Sequence, residues 1–214
     1  MRIGVIGTGN MADALGAHWV RAGHDVVIGG RDAGRAAALA ARIGAAGHGT
    51  PRTAAEFGDV VLLAVPHEVG AAIVRGLQEA LRGRVLVDCS NAVGPGFALL
   101  TEGGPGAARL LTDAAPGARV VKAFNLCHEG VWRMDPPVFD GRALAVPVCG
   151  DDEGALDVVR ELVKDVGCEP FAAGGLDRAG LLEATAALLI GLWVGEGLDA
   201  QAIAPPLAYA AGAR

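Results

Sequence analysis

Three small residues near the N-terminus are spaced for phosphate chemistry. In "VIGTGNMADAL", Gly7, Gly9 and Ala12 form a G-x-G-x-x-A pattern directly after an apolar, strand-like run and at the start of a helical one. In that context Gly7 permits a tight turn and Gly9 lets backbone approach a pyrophosphate. Ala12 lets the helix pack closely on the strand while N–H groups at the helix start face the anion. A second strand, ending about 20 residues on, completes a dinucleotide-binding pattern. That strand runs into "VVIGGRDAGR", where an NAD site would place a carboxylate for the ribose hydroxyls. Here Gly29 and Gly30 leave room, and Arg31 and Arg35 can grip a 2′-phosphate with charge-assisted bonds, which points to NADP. In the alternative both arginines are solvated and Asp32 is the ribose acceptor rather than a helix cap.

A nicotinamide cofactor implies hydride transfer. If the acceptor is a second hydride carrier, the chain need only align two rings and keep water out, and no side-chain acid is required. If the acceptor is an imine or carbonyl, a proton must accompany the hydride. His128, just beyond a predicted strand at 119–124, is then the catalytic candidate, and otherwise a structural or solvent-facing loop histidine. His67 is expected to line the cofactor or begin a helix. Cys127 adjoins His128, but neighbours in an extended segment point to opposite faces, which argues against a thiol–imidazole pair. Cys89 reads as a small hydrophobe inside the fold, Trp193 as a core or dimer contact, and Lys122 has no assignment. The sequence holds no convincing triad, carboxylate pair or metal cluster, so no metal is expected.

The elements that must position these groups are short Val- and Ile-rich runs separated by Ala-rich helical stretches. Strands are expected at Arg2–Ile6, Asp25–Ile28, Val60–Ala64, Val85–Asp88, Arg119–Phe124 and Ala143–Cys149. This is an α/β pattern: a Rossmann-type, doubly wound parallel sheet with a small, mainly helical C-terminal portion. "RDAGRAAALAARIG" is a crossover helix capped by Asp32 and stopped by Gly44. A second short helix lies in "GGPGAARLLTDAAPGARVV", ended by Pro116 and Gly117. Residues 1–150 are expected to form the NADP-binding domain. Residues 151–214 form a smaller portion with helices at Asp152–Val166 and Asp177–Leu198 joined by "CEPFAA"; the tail from Pro205 gives no reading.

Of 214 residues, 52% are hydrophobic and 20% charged, which fits one compact globular unit. The net charge of −6 comes without a basic run, so nucleic acid is a poor partner. Four cysteines without a C-x-x-C pair, and no leader ahead of the first strand, suit a reducing cytoplasm. The apolar run Ala184–Gly195 is about half the roughly 20 residues a membrane span needs. It reads as a buried or subunit-interface helix, and Leu181–Val194 hints at a homodimer.

The segments "IGTGNMADALG", "GHDVVIGGRD", "VVLLAVP", "VLVDCSNAV", "ARVVKAFN", "VPVCGDD" and "LLEATAALLIGL" resemble, in order and spacing, the NADPH-dependent reductases of coenzyme F420. The resemblance implies hydride transfer between NADPH and that deazaflavin as co-substrate. It implies that Ala64, Val65, Pro66 and His67 lie along the cofactor and that Asn91 and Asn125 approach the nicotinamide, with Ala92 also in the cofactor set. Together with Gly7, Thr8, Gly9, Asn10, Met11, Gly30, Arg31 and Arg35, these make up the expected cofactor set. The chain departs from the family's pattern at Leu126–Glu129, at Ala179–Glu183 and at Ala92. Two other readings stay open: a reductase of a small imine or carbonyl, and a non-catalytic NADPH sensor.

Overall fold

The computed structural model describes residues 1–101, 103–200 and 203; the tail from Pro205 lies outside them. The chain runs β1 (Arg2–Ile6), α1 (Asn10–Arg21), β2 (Asp25–Gly29), α2 (Ala33–Ile43), β3 (Gly47–Gly49), α3 (Pro51–Phe57), β4 (Val60–Leu63), α4 (His67–Gly76) and β5 (Val85–Asp88). It continues with α5 (Ala107–Ala114), β6 (Arg119–Lys122), α6 (Glu129–Trp132), β7 (Val138–Phe139), β8 (Arg142–Ala143), β9 (Ala145–Gly150), α7 (Glu153–Asp165), β10 (Glu169–Gly174) and α8 (Ala179–Ile190). The main sheet has eight strands in the order β10-β9-β6-β5-β4-β1-β2-β3. Strand β1 lies between β2 and β4, so the chain leaves it in opposite directions, and the carboxyl ends of β1 and β4 open a crevice at the point where the order reverses.

Period-two alternation explains the two-sided packing. Ile3 and Val5, Val60 and Leu62, and Val85 and Val87 face one core cluster with Leu15 and Trp19 of α1. Ile6, Val61, Leu63 and Leu86 face the other, with Val74 and Leu111. Helix α2 matches its sequence signals: Asp32 accepts from Arg35 N, and Gly44 closes the helix in the left-handed region. Helix α3 is an addition to the expected elements. Thr50 and Thr53 form a capping box around Pro51, but seven residues are too few to show a helical period.

Four expectations need correction. The sheet is not wholly parallel, because β9 runs antiparallel to β6 and only then pairs in parallel with β10. The strand expected at Ala143–Cys149 is split, its first residue pairing in the β7–β8 hairpin and the remainder forming β9. Strand β6 stops at Lys122, because Phe124 turns left-handed (φ 61°) between two edge-on indoles, Trp19 at 6.1 Å and Trp132 at 5.6 Å. Residues through Gly174 belong to the sheet, α7 and β10 completing it, and the helical C-terminal portion starts at Leu176.

That last helical run is also longer than its apolar core suggested. Leu176–Gly195 is continuous over 20 residues, ends in a π turn, and by length and composition suffices to cross a membrane; 22% of its window is buried. Its Glu183 is nevertheless fully inside the globular body, paired with a lysine of the central sheet, which anchors the helix there.

Candidate functional site

The glycine turn after β1 is built as its spacing requires. Gly7 has φ 132°, and a Cβ there would lie 2.1 Å from the Ala64 carbonyl oxygen, so only glycine fits against the end of β4. Gly9 caps α1 and a Cβ on it would meet nothing within 4 Å, which leaves open space where a pyrophosphate would approach. Ala12, in the first turn of α1, is fully buried. At the end of β2, a Cβ on Gly30 would come within 2.8 Å of the Thr8 methyl, so these two residues close on each other beside the turn.

A cavity of about 300 Å³ opens here, lined by Gly9, Asn10 and Met11, by Ala64 to His67, and by Cys89, Ser90 and Asn91. Three strand ends thus converge on it, as the crevice geometry demands. Asn91 Nδ2 donates to the Asn125 carbonyl (2.7 Å), and Asn125 Nδ2 donates to Asn91 Oδ1 (2.9 Å). The buried Asn125 Oδ1 has no partner among the described residues, an acceptor of the kind a carboxamide would satisfy. Ala92 is fully buried, its carbonyl accepting from Leu100 N. Asn10 is committed elsewhere: its Nδ2 donates to Glu129 Oε1 at 2.7 Å.

Arg31 and Arg35 are exposed at the crossover and form no ion pair among the described residues, while Asp32 Oδ1 caps α2. Both guanidiniums are exposed, and one Asp32 oxygen, Oδ1, accepts from Arg35 N at 2.9 Å.

His128 lines neither this cavity nor the next. Its side chain is 78% exposed, Nδ1 accepts from Gly130 N, and Nε2 meets Glu129 at 3.0 Å. Burial pushes the Cys127 thiol up to about 11 and the Cys89 thiol up to about 12, so neither is a ready nucleophile.

A second, apolar cavity of about 600 Å³ begins one residue beyond Asn125. It is lined by Leu126 and Cys127, the β7–β8 hairpin, and Leu189 and Trp193 at the end of the last helix, with Arg142 among its walls. Trp193 is 41% exposed and lines this space, so it is no core residue. The departure at Leu126–Cys127 noted in the sequence therefore falls on a cavity wall.

Sequence reasoning missed one further group. Lys122 is fully buried, its Nζ 2.9 Å from Asp88 Oδ2, 3.0 Å from Glu183 Oε1 and 2.5 Å from the Ser90 carbonyl. Burial pushes its pKa down, but Asp88 and Glu183 outweigh that and hold the ammonium above its ordinary value. The one signal was a lysine set among the apolar residues Val120, Val121, Ala123 and Phe124.

A family model described as NADP oxidoreductase, coenzyme F420-dependent, matches residues 2–92. An F420-dependent NADP reductase of Methanothermobacter marburgensis is 32% identical over 216 residues, covering 90% of this chain and 92% of that protein. One from Methanocaldococcus jannaschii is 33% identical over 149 residues, covering 66% of this chain and 65% of that protein. Among solved structures, a putative F420-dependent NADP-reductase from Arthrobacter sp. FB24 shares the fold with a TM-score of 0.77 at 24% identity, covering 92% of this chain and 95% of that one.

Proposed function

The chain belongs to the F420-dependent NADP reductase family, and on that premise we infer that it passes hydride between NADPH and coenzyme F420. The observation that carries this reading is a pair of cavities, one lined by Asn91, which is hydrogen-bonded to Asn125, and the other beginning at the next residue, Leu126. One is a glycine-turn cleft at the switch point; the other is a mainly apolar space with Arg142 and Asp199 on its walls, and His128, exposed to solvent, lines neither. The two carriers supply the reactive carbons, and the chain binds, orients and excludes water.

In this reading Gly7, Gly9 and the start of α1 hold the pyrophosphate, and Arg31 and Arg35 hold the 2′-phosphate. Ala64–His67, Asn91 and Asn125 hold the nicotinamide. The second cavity suits a planar, acidic deazaflavin, with Trp193 and Arg142 on its walls. His128 stays outside the exchange. Mixing the protein with NADP and reduced F420, and following both chromophores, should show stoichiometric exchange that His128→Ala leaves nearly unchanged. Nucleotide binding without turnover would favour a sensor, and imine or carbonyl reduction that collapses in His128→Ala would favour the other reductase.

We further propose a cytoplasmic homodimer. Four free thiols support the reducing compartment. Leu181 and Leu188, 55% and 56% exposed and two turns apart on α8, support a second copy on that face. Light scattering should give twice the chain mass, and Leu188→Glu should halve it.

A further inference from the structure

The buried lysine behind the cleft bonds a residue that lines the first cavity, Ser90, and one on the helical run whose far end lines the second, Glu183. An ammonium has three donors, and here each has an acceptor: Asp88 on β5, the Ser90 carbonyl beyond it, and Glu183 on α8. Asp88 uses its other oxygen to accept from Ser90 N (2.9 Å) and Ser90 Oγ (2.7 Å). Every polar group of Ser90 is therefore held from behind, and Ser90 with Asn91 forms one wall of the nucleotide cleft. On the other side, Glu183 accepts from Ala107 N (2.9 Å) and Ala108 N (3.4 Å), closing the start of α5. A Cβ on Gly106 would lie 3.1 Å and 3.2 Å from the Glu183 oxygens and 3.2 Å from Gly180 Cα, so α5 and α8 meet here with no room to spare. Further along the same helical run, Leu189 and Trp193 line the second cavity.

We propose that Lys122 is a positioning residue that keeps the two cavities in register, transmitting the seating of α8, through Glu183, to the Ser90–Asn91 wall. The inference rests on the hydride-exchange reading above. Two carbons that exchange a hydride must approach within about 3 to 3.5 Å, and a misplacement of about 1 Å costs on the order of a hundredfold in rate. A wall fixed by the same ammonium that fixes the helix makes that approach independent of loop motion. Two carboxylates share this ammonium, and the N–H groups of α5 compensate the second, so removing the charge of Glu183 loosens the helix side without stripping Asp88 of its partner.

The test is Glu183→Gln, read in three ways against wild type. The kcat for exchange between NADPH and F420 should fall by about tenfold or more. The primary isotope effect with NADPH deuterated at C4 should rise as hydride transfer becomes limiting. Affinity for 2′,5′-ADP, which reports only the adenosine end, should stay within about twofold. A lowered melting temperature with kcat per folded molecule and isotope effect unchanged would overturn the inference and leave the cluster merely structural. The wild type gives an independent check by amide hydrogen exchange at saturating 2′,5′-ADP. Adding F420 should slow exchange in peptides covering Ser90–Asn91 as well as α8; slowing confined to α8 would overturn the coupling. If the wild type exchanges no hydride with F420, the reaction itself is wrong and the coupling falls with it.

Discussion

Arg31 and Arg35, at the crossover after β2, and Lys122, behind the Ser90 wall, carry the same charge in opposite surroundings. The arginines stand in water with no partner among the described residues. The lysine is fully buried and its three donors are satisfied by groups from two distant segments. An exposed cation keeps its hydration until an anion displaces it, so it can discriminate between ligands at little structural cost. A buried cation cannot be spared, because the carboxylates around it would be left unpaired in a medium that solvates them poorly. On the proposed reading, recognition and architecture are divided between two kinds of positive charge.

The most severe way to break this contrast is Lys122→Met. Uncompensated Asp88 and Glu183 should cost about 3 to 5 kcal/mol of folding stability, measured by urea denaturation. A loss no larger than that of a surface substitution would mean the cluster is not buried as described. Next comes Arg31→Ala, expected to weaken NADPH by about 1.5 to 3 kcal/mol in calorimetry while sparing NADH and the melting temperature. Equal losses for both nucleotides would remove the phosphate clamp. Asp32→Ala sharpens the assignment between them: loss of the α2 cap should cost about 1 kcal/mol of stability and leave NADH affinity unchanged.

The smallest effect concerns acid. Desolvation pushes the Asp13 carboxyl up, but Arg133 and Arg42 more than offset it and hold the group below its ordinary range. A carboxyl lowered in the folded state adds stability above its unfolded pKa and loses it as pH falls through the folded value. Asp13→Asn should therefore lower stability modestly at neutral pH and converge with the wild type in acid, which flattens the acid limb of the stability profile.

The sequence spoke most clearly where contacts are local. Arg2–Ile6, Val85–Asp88 and the Asp32–Gly44 helix appear at the expected residues, because alternation, caps and glycine stops act within a few positions. The turn at Gly7 was legible for the same reason. Strand direction was not, since the run from Ala145 has the same apolar content whether it lies parallel or antiparallel to β6. Trp193 read as packing because an apolar helix looks alike whether it meets a core or a cavity. The Lys122 cluster joins residues of β5, β6 and α8, and no spacing rule reaches across such a separation.

Phe124 carries one more consequence. A bulky side chain with positive φ is costly on its own, so it persists only because the indoles of Trp19 and Trp132 clamp the ring. With that kink in place β6 cannot zip up one rung further along its neighbours, and the gap at the carboxyl ends of the strands stays propped apart before any nucleotide arrives. On the protein side, the conformational entropy of shaping the berth is then spent during folding rather than on docking.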